Sequence, residues 1–225
     1  MKTFQLQFKF VFISVVVIFS MLLCVGWTAK RDVSLRDFLK ELTVVNVKGN
    51  QTQSVVWLPF EFNVRAIGDD VKKQVDSPLK SYLIFMVTCS IDHGGSRTCD
   101  SWSQIQNRAF LKGISAAPLK PLTMVPVELS QKLEAIKTVV TEGGASAADS
   151  HMIIFDVNDP TGKALVDTAK RDKLTLVLEA SDSFSKAQFT WHTPFDALID
   201  AGTCSKCGEK IRAQWYYCPS CGNKL

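Results

Sequence analysis

Residues 81–91 read SYLIFMVTCSI, the longest run in the middle of the chain that is apolar on both of its alternating sets. A run patterned this way is the strongest candidate in the chain for a buried strand. Outward from it, six further segments carry β-branched and aromatic residues at strand length, bounded by turn formers: 43–47 (TVVNV), 54–64 (SVVWLPFEFNV), 101–114 (SWSQIQNRAFLKGI), 151–157 (HMIIFDV), 173–180 (KLTLVLEA) and 186–192 (KAQFTWH). Lys48-Gly49-Asn50 separates the first two, and Pro59 inside the second points to an edge position or a bulge.

Two helices stand out by period. Leu35, Phe38, Leu39 and Leu42 fall at i, i+3, i+4 and i+7, with Ser34 placed to cap them. Leu129, Leu133, Ile136 and Val140 form a second stripe, ended by Gly143-Gly144. A shorter helix is expected over residues 163–170. The central domain, residues 30–202, is therefore expected to be α+β and β-rich.

The ends differ from this body. Residues 10–27 carry no charge, and twelve of the eighteen are Phe, Val, Ile or Leu. As a helix they rise about 27 Å, near the roughly 30 Å of a bilayer's hydrocarbon, and their summed insertion free energy is on the order of −5 kcal/mol. The expectation is a basic tail over 1–9 and a single transmembrane helix over 10–29. A cleaved signal peptide fits poorly because Trp27 would stand at position −3 from a cut after Ala29, and lipidation of Cys24 fits poorly because Leu23 precedes it. Lys30, Arg31, Arg36 and Lys40 outweigh Lys2, Lys9 and the amino terminus, which leans the soluble part toward the cytosol, with the exported side as the alternative. Between the two ends, 20 basic residues meet 21 acidic ones, so no broad field for nucleic acid or acidic substrates is implied.

The last 22 residues are CSKCGEKIRAQWYYCPSCGNKL. Cys204-x2-Cys207 and Cys218-x2-Cys221 each end in Cys-Gly, a turn that puts two sulfurs on one side and frees the next backbone amides to face thiolate. Two such turns supply the four sulfurs of a structural tetrahedral site. This tail resembles the zinc-ribbon family over about residues 203–225, most closely at Tyr217-Cys218-Pro219-Ser220-Cys221-Gly222. The resemblance implies one structural Zn²⁺ held by Cys204, Cys207, Cys218 and Cys221, and often a small protein-interaction module. Four thiolates also suit iron. A closed ligand set leaves no open position for water or substrate, which argues against catalysis at the metal. The residues between the pairs can form a small hairpin with Trp215 and Tyr217 as apolar cover.

The remaining chemistry is sparse. Cys89 and Cys99 lie five residues either side of Gly94, so a hairpin centred there sets them opposite one another, as core thiols or as a disulfide. His93, His151 and His192 are scattered, and no nucleophile has a catalytic neighbour motif. Residues 156–162 (DVNDPTG) imitate the start of a calcium loop, but Pro160 stands at its fifth position and Asp167 at its twelfth, so a turn is expected. Lys206, Lys210, Arg212 and Lys224 with Trp215, Tyr216 and Tyr217 would suit single-stranded nucleic acid, though the neutral body gives this little support. The reading is a single-pass membrane protein of the binding or scaffold class with a protein partner. A membrane-bound enzyme with its site in the central domain is the alternative, as is a nucleic-acid-contacting ribbon.

Overall fold

The computed structural model describes residues 34–68, 77–92, 97–112, 118–142, 150–199 and 202–225. The expected tail and transmembrane helix over 1–29 lie outside the described residues, and among the described residues no helix is long and apolar enough to cross a membrane.

The body is a mixed, strand-rich fold. Helix α1 (Leu35–Leu42) leads into strands β1 (Thr43–Lys48) and β2 (Gln51–Leu58), then helix α2 (Phe60–Ala66) and a 3₁₀ turn at Pro78–Ser81. Next come β3 (Tyr82–Asp92), β4 (Arg97–Thr98), helix α3 (Trp102–Arg108), β5 (Ala109–Lys112), helix α4 (Val127–Glu142) and β6 (Ser150–Asp156). Strands β7 (Asp172–Leu178) and β8 (Ala187–Thr193) complete the body, and β9 (Gly202–Thr203) and β10 (Lys210–Ile211) belong to the tail.

Strand β3 is mostly buried, as its pattern predicts, and it stands at the centre of the sheet. It pairs antiparallel with β2 on one side, and on the other with β6 along residues 82–88 and with β4 at Ile91 and Asp92. Strand β1 closes the far edge through the hairpin at Gly49, whose φ of +61° is the left-handed conformation the turn needs. A second antiparallel sheet, β5-β7-β8, packs against the first: Trp191 of β8 meets Trp57 edge-on at 6.0 Å and lies 5.5 Å from Phe85, centroid to centroid. The alternate residues Val56, Leu58, Ile84 and Met86 are buried as well, so both faces of β2 and β3 are covered. The stripe Leu129, Leu133, Ile136, Val140 joins this core, as do Phe38, Leu39 and Leu42 of α1. Ser34 caps α1 by accepting the Asp37 amide, and Trp191 Nε1 donates to the Leu42 carbonyl at the helix end.

Three expectations are corrected. Residues 60–66 are helical rather than extended: Pro59 opens the helix from its cap position instead of bulging a strand. Residues 102–108 are also helical, and the strand among the described residues of this segment is 109–112. A capping box explains this: Gln104 N donates to Ser101 Oγ, while the Ser101 amide donates to Gln104 Oε1. Replacing Ser101 by Ala is expected to cost about 1 kcal/mol, seen as a lower urea midpoint at unchanged slope. No helix forms over 163–170. There the Asp159 carboxylate takes the amides of Thr161 and Lys163 together with the Thr161 hydroxyl, which lowers its pKa and fixes the turn expected over 156–162.

Candidate metal centre

Each Cys-x2-Cys turn sits at the tip of a miniature hairpin, and the two repeat one another bond for bond. Cys204 N donates to Glu209 O at 2.8 Å and Gly208 N to Cys204 O at 2.8 Å. Cys218 N donates to Asn223 O at 2.8 Å and Gly222 N to Cys218 O at 2.9 Å. Gly208 and Gly222 have φ of 73° and 68°, and an added Cβ at either would meet nothing within 4 Å, so their need for glycine is conformational rather than steric. Strands β9 and β10 flank the first turn, and a single bridge between Tyr217 and Lys224 flanks the second.

This arrangement gathers the four expected ligands. The Sγ atoms of Cys204, Cys207, Cys218 and Cys221 all lie within 4.8 Å of one another, with 3.6 Å for both Cys204–Cys221 and Cys207–Cys218. A tetrahedron with metal–sulfur bonds of about 2.3 Å has edges of about 3.8 Å. Two edges match this closely and none exceeds 4.8 Å, so the four sulfurs could hold such an ion.

The electrostatics agree. The amides of Cys207 and Lys206 point at Cys204 Sγ and hold its thiol down to about 6, within reach of the thiolate form at neutral pH. Glu209 N donates to Cys207 Sγ in the same way, yet the surrounding sulfurs of Cys221, Cys218 and Cys204, with burial, push Cys207 up to about 12. Four thiolates at this spacing cannot all ionise beside one another unless a cation sits among them.

The tail is seated on the body. Arg171 Nη2 donates to the Trp215 carbonyl at 2.7 Å, and its guanidinium lies 4.4 Å from the Tyr216 ring centroid. Asp196 Oδ1 accepts the Ala213 amide at 3.0 Å, and its other oxygen faces Arg212 at 3.7 Å. The expected apolar cover is corrected here. Of the two expected residues Trp215 is half-buried, but Tyr217 is 61% exposed, so only the first gives cover. Within the tail only Cys204 and Cys218 are buried, so the sulfur cluster is its core.

A second polar cluster lies inside the body, and sequence reasoning missed it. Arg108 and Asp100, both buried, form an ion pair at 3.0 Å. Arg108 also donates to the Glu179 carbonyl and to Gln53 Oε1, approaches Cys89 Sγ at 3.6 Å and lies over the Phe184 ring, while Ser181 Oγ donates to Asp100. These residues come from four separate stretches of chain, around 53, 89, 100–108 and 179–184, so no local spacing announces them.

A third feature is a cleft of about 350 Å³ between α3, α4 and β6, lined among others by Trp102, Leu133, Glu134, Lys137, His151 and Met152. Of the other histidines, His192 is exposed on β8 and His93 lies outside the described residues. The chain matches no protein-family model, no curated protein and no solved structure, so its centre is read from its own chemistry.

Proposed function

We propose that this is a single-pass membrane protein of the binding or scaffold class, in which a structural zinc ion holds a C-terminal ribbon against a β-rich body near the bilayer. The observation that carries the reading is the cluster of four cysteine sulfurs, all within 4.8 Å of one another. All four positions of the ion are filled from the protein, so the ion serves folding rather than substrate activation. Around it the ribbon offers exposed Tyr216 and Tyr217, residue types suited to the centre of a protein contact. The uncharged run over 10–27 supplies the tether, and tethering raises the local concentration of the recognition surface for membrane-bound partners.

The test compares the full chain with its Cys204→Ser variant in membranes. The expected result is that both resist extraction by alkaline carbonate, and that cross-linking captures a protein partner with the parent chain but not with the variant. Release by carbonate would remove the tether; identical capture by both would remove the ribbon's role. For sidedness, the tail cysteines are expected to escape a membrane-impermeant maleimide in intact cells treated with a permeant chelator. Labelling before lysis would place the soluble part outside.

The cleft beside α4 favours one second reading, a membrane-bound enzyme. Its volume is at the small end of the roughly 300–1,000 Å³ common for ligand sites, and Glu134, Lys137 and His151 bring convergent polar groups. Loss of a turnover by Lys137→Met with the fold intact would support that reading over the first.

A further inference from the structure

We propose that Cys89 and Cys99 are a peroxide-responsive thiol pair that closes to a disulfide at the β3–β4 edge of the first sheet.

The register brings the two near one another. Pairing between β3 and β4 runs Asp92↔Arg97 and Ile91↔Thr98, one residue away from a hairpin centred on Gly94, and it stops there. Cys99 is thus the first residue to leave the strand, and it turns its thiol onto Cys89 in a side-chain hydrogen bond. Continued by one step, that register sets Cys99 beside Ser90, the chain neighbour of Cys89, and not directly opposite Cys89. Neither residue is in a disulfide here.

Their surroundings divide the labour. Cys99 is half-buried and open to a small oxidant, whereas Cys89 is wholly buried. The Cys99 contact, together with burial, pushes the Cys89 thiol up, so Cys89 keeps its proton while its neighbour reacts. The Arg108 guanidinium, ion-paired with Asp100, lies 3.6 Å from Cys89 Sγ and bounds the pair on its inner side. In the first step the Cys99 thiolate attacks one oxygen of hydrogen peroxide. The O–O bond breaks, hydroxide leaves, and Cys99 becomes a sulfenic acid. In the second step Cys89 sulfur attacks the sulfenic sulfur, and the hydroxyl group leaves as water with the Cys89 proton. Two thiols are oxidised by two electrons, and one peroxide is reduced to two waters.

The test uses the full, metal-loaded chain exposed to hydrogen peroxide, then denatured, alkylated and digested for mass spectrometry. The expected product is a linked peptide pair carrying Cys89 and Cys99, two hydrogens lighter than the sum of the thiol peptides and released by dithiothreitol. In Cys89→Ala the first step has no resolving partner, so Cys99 is expected to be trapped by dimedone at least tenfold more than in the parent chain. In Cys99→Ala, Cys89 is expected to stay alkylatable, and an unchanged urea midpoint before oxidation verifies the fold of both variants. The proposal is overturned if the parent chain keeps both thiols while a denatured sample oxidises, or if Cys89 pairs with a tail cysteine instead.

Discussion

Chelation is expected to unfold the tail while the body stays folded. Residues 204–225 bury only Cys204 and Cys218, so no apolar cluster of their own resists the entropy of an open chain. On the proposed reading a bound ion supplies the rest, since a structural zinc contributes about 10–16 kcal/mol of apparent binding free energy at neutral pH. Removing it leaves Arg171 and Asp196 with a few polar contacts to a segment that has lost its shape. Hydrogen exchange reads this directly. The amides of Cys204, Gly208, Cys218 and Gly222 should lose their protection in strong chelator, while those of β3 and β6 keep theirs. One equivalent of metal should appear in the chelate, and Cys218→Ser should reproduce the result without chelator. Tail amides that remain protected in a metal-free protein would end the assignment of the cluster as its core.

The other large effect is expected at Arg108→Met. Its partner Asp100 is 4% exposed and Arg108 6%, so the substitution strands a carboxylate in the interior. Breaking a buried pair from one side costs about 3–5 kcal/mol, whereas replacing both members by apolar groups is often close to neutral. Urea unfolding should show a loss of that size for Arg108→Met, with much of it restored in the double variant Arg108→Met/Asp100→Leu. A single variant within about 1 kcal/mol of the parent would mean that the pair is solvated, against its observed burial.

How much of this was legible depends on whether the cause was local. The stripe from Leu129 to Val140 and the doubly buried residues of β3 announce themselves because one packed neighbour above and below dictates the period. The clustering of the four tail cysteines is legible for a similar reason, since a Cys-x2-Cys turn brings residues three apart together. Residues 60–66 misled because Phe60, Phe62 and Val64 alternate as a strand would, while a proline at the cap starts a helix. Residues 102–108 misled because Ile105 is the only buried apolar side chain of that helix, too few for a period, although Ser101 and Gln104 carried the box in plain view. The Asp100–Arg108 cluster was illegible outright: Gln53, Glu179 and Ser181 arrive from strands and loops that only the finished packing brings together.

The path of the chain through its two sheets has a kinetic consequence. Between β3 and its neighbour β6 the chain leaves the first sheet, lays β5 into the second, and returns; β5 then waits for β7 to arrive from beyond β6. Neither sheet can be finished before the other is begun, so there is no half-built stage with one layer complete. Acquisition of the native body should therefore be a single concerted event, on the slow millisecond-to-second scale of architectures dominated by distant partners.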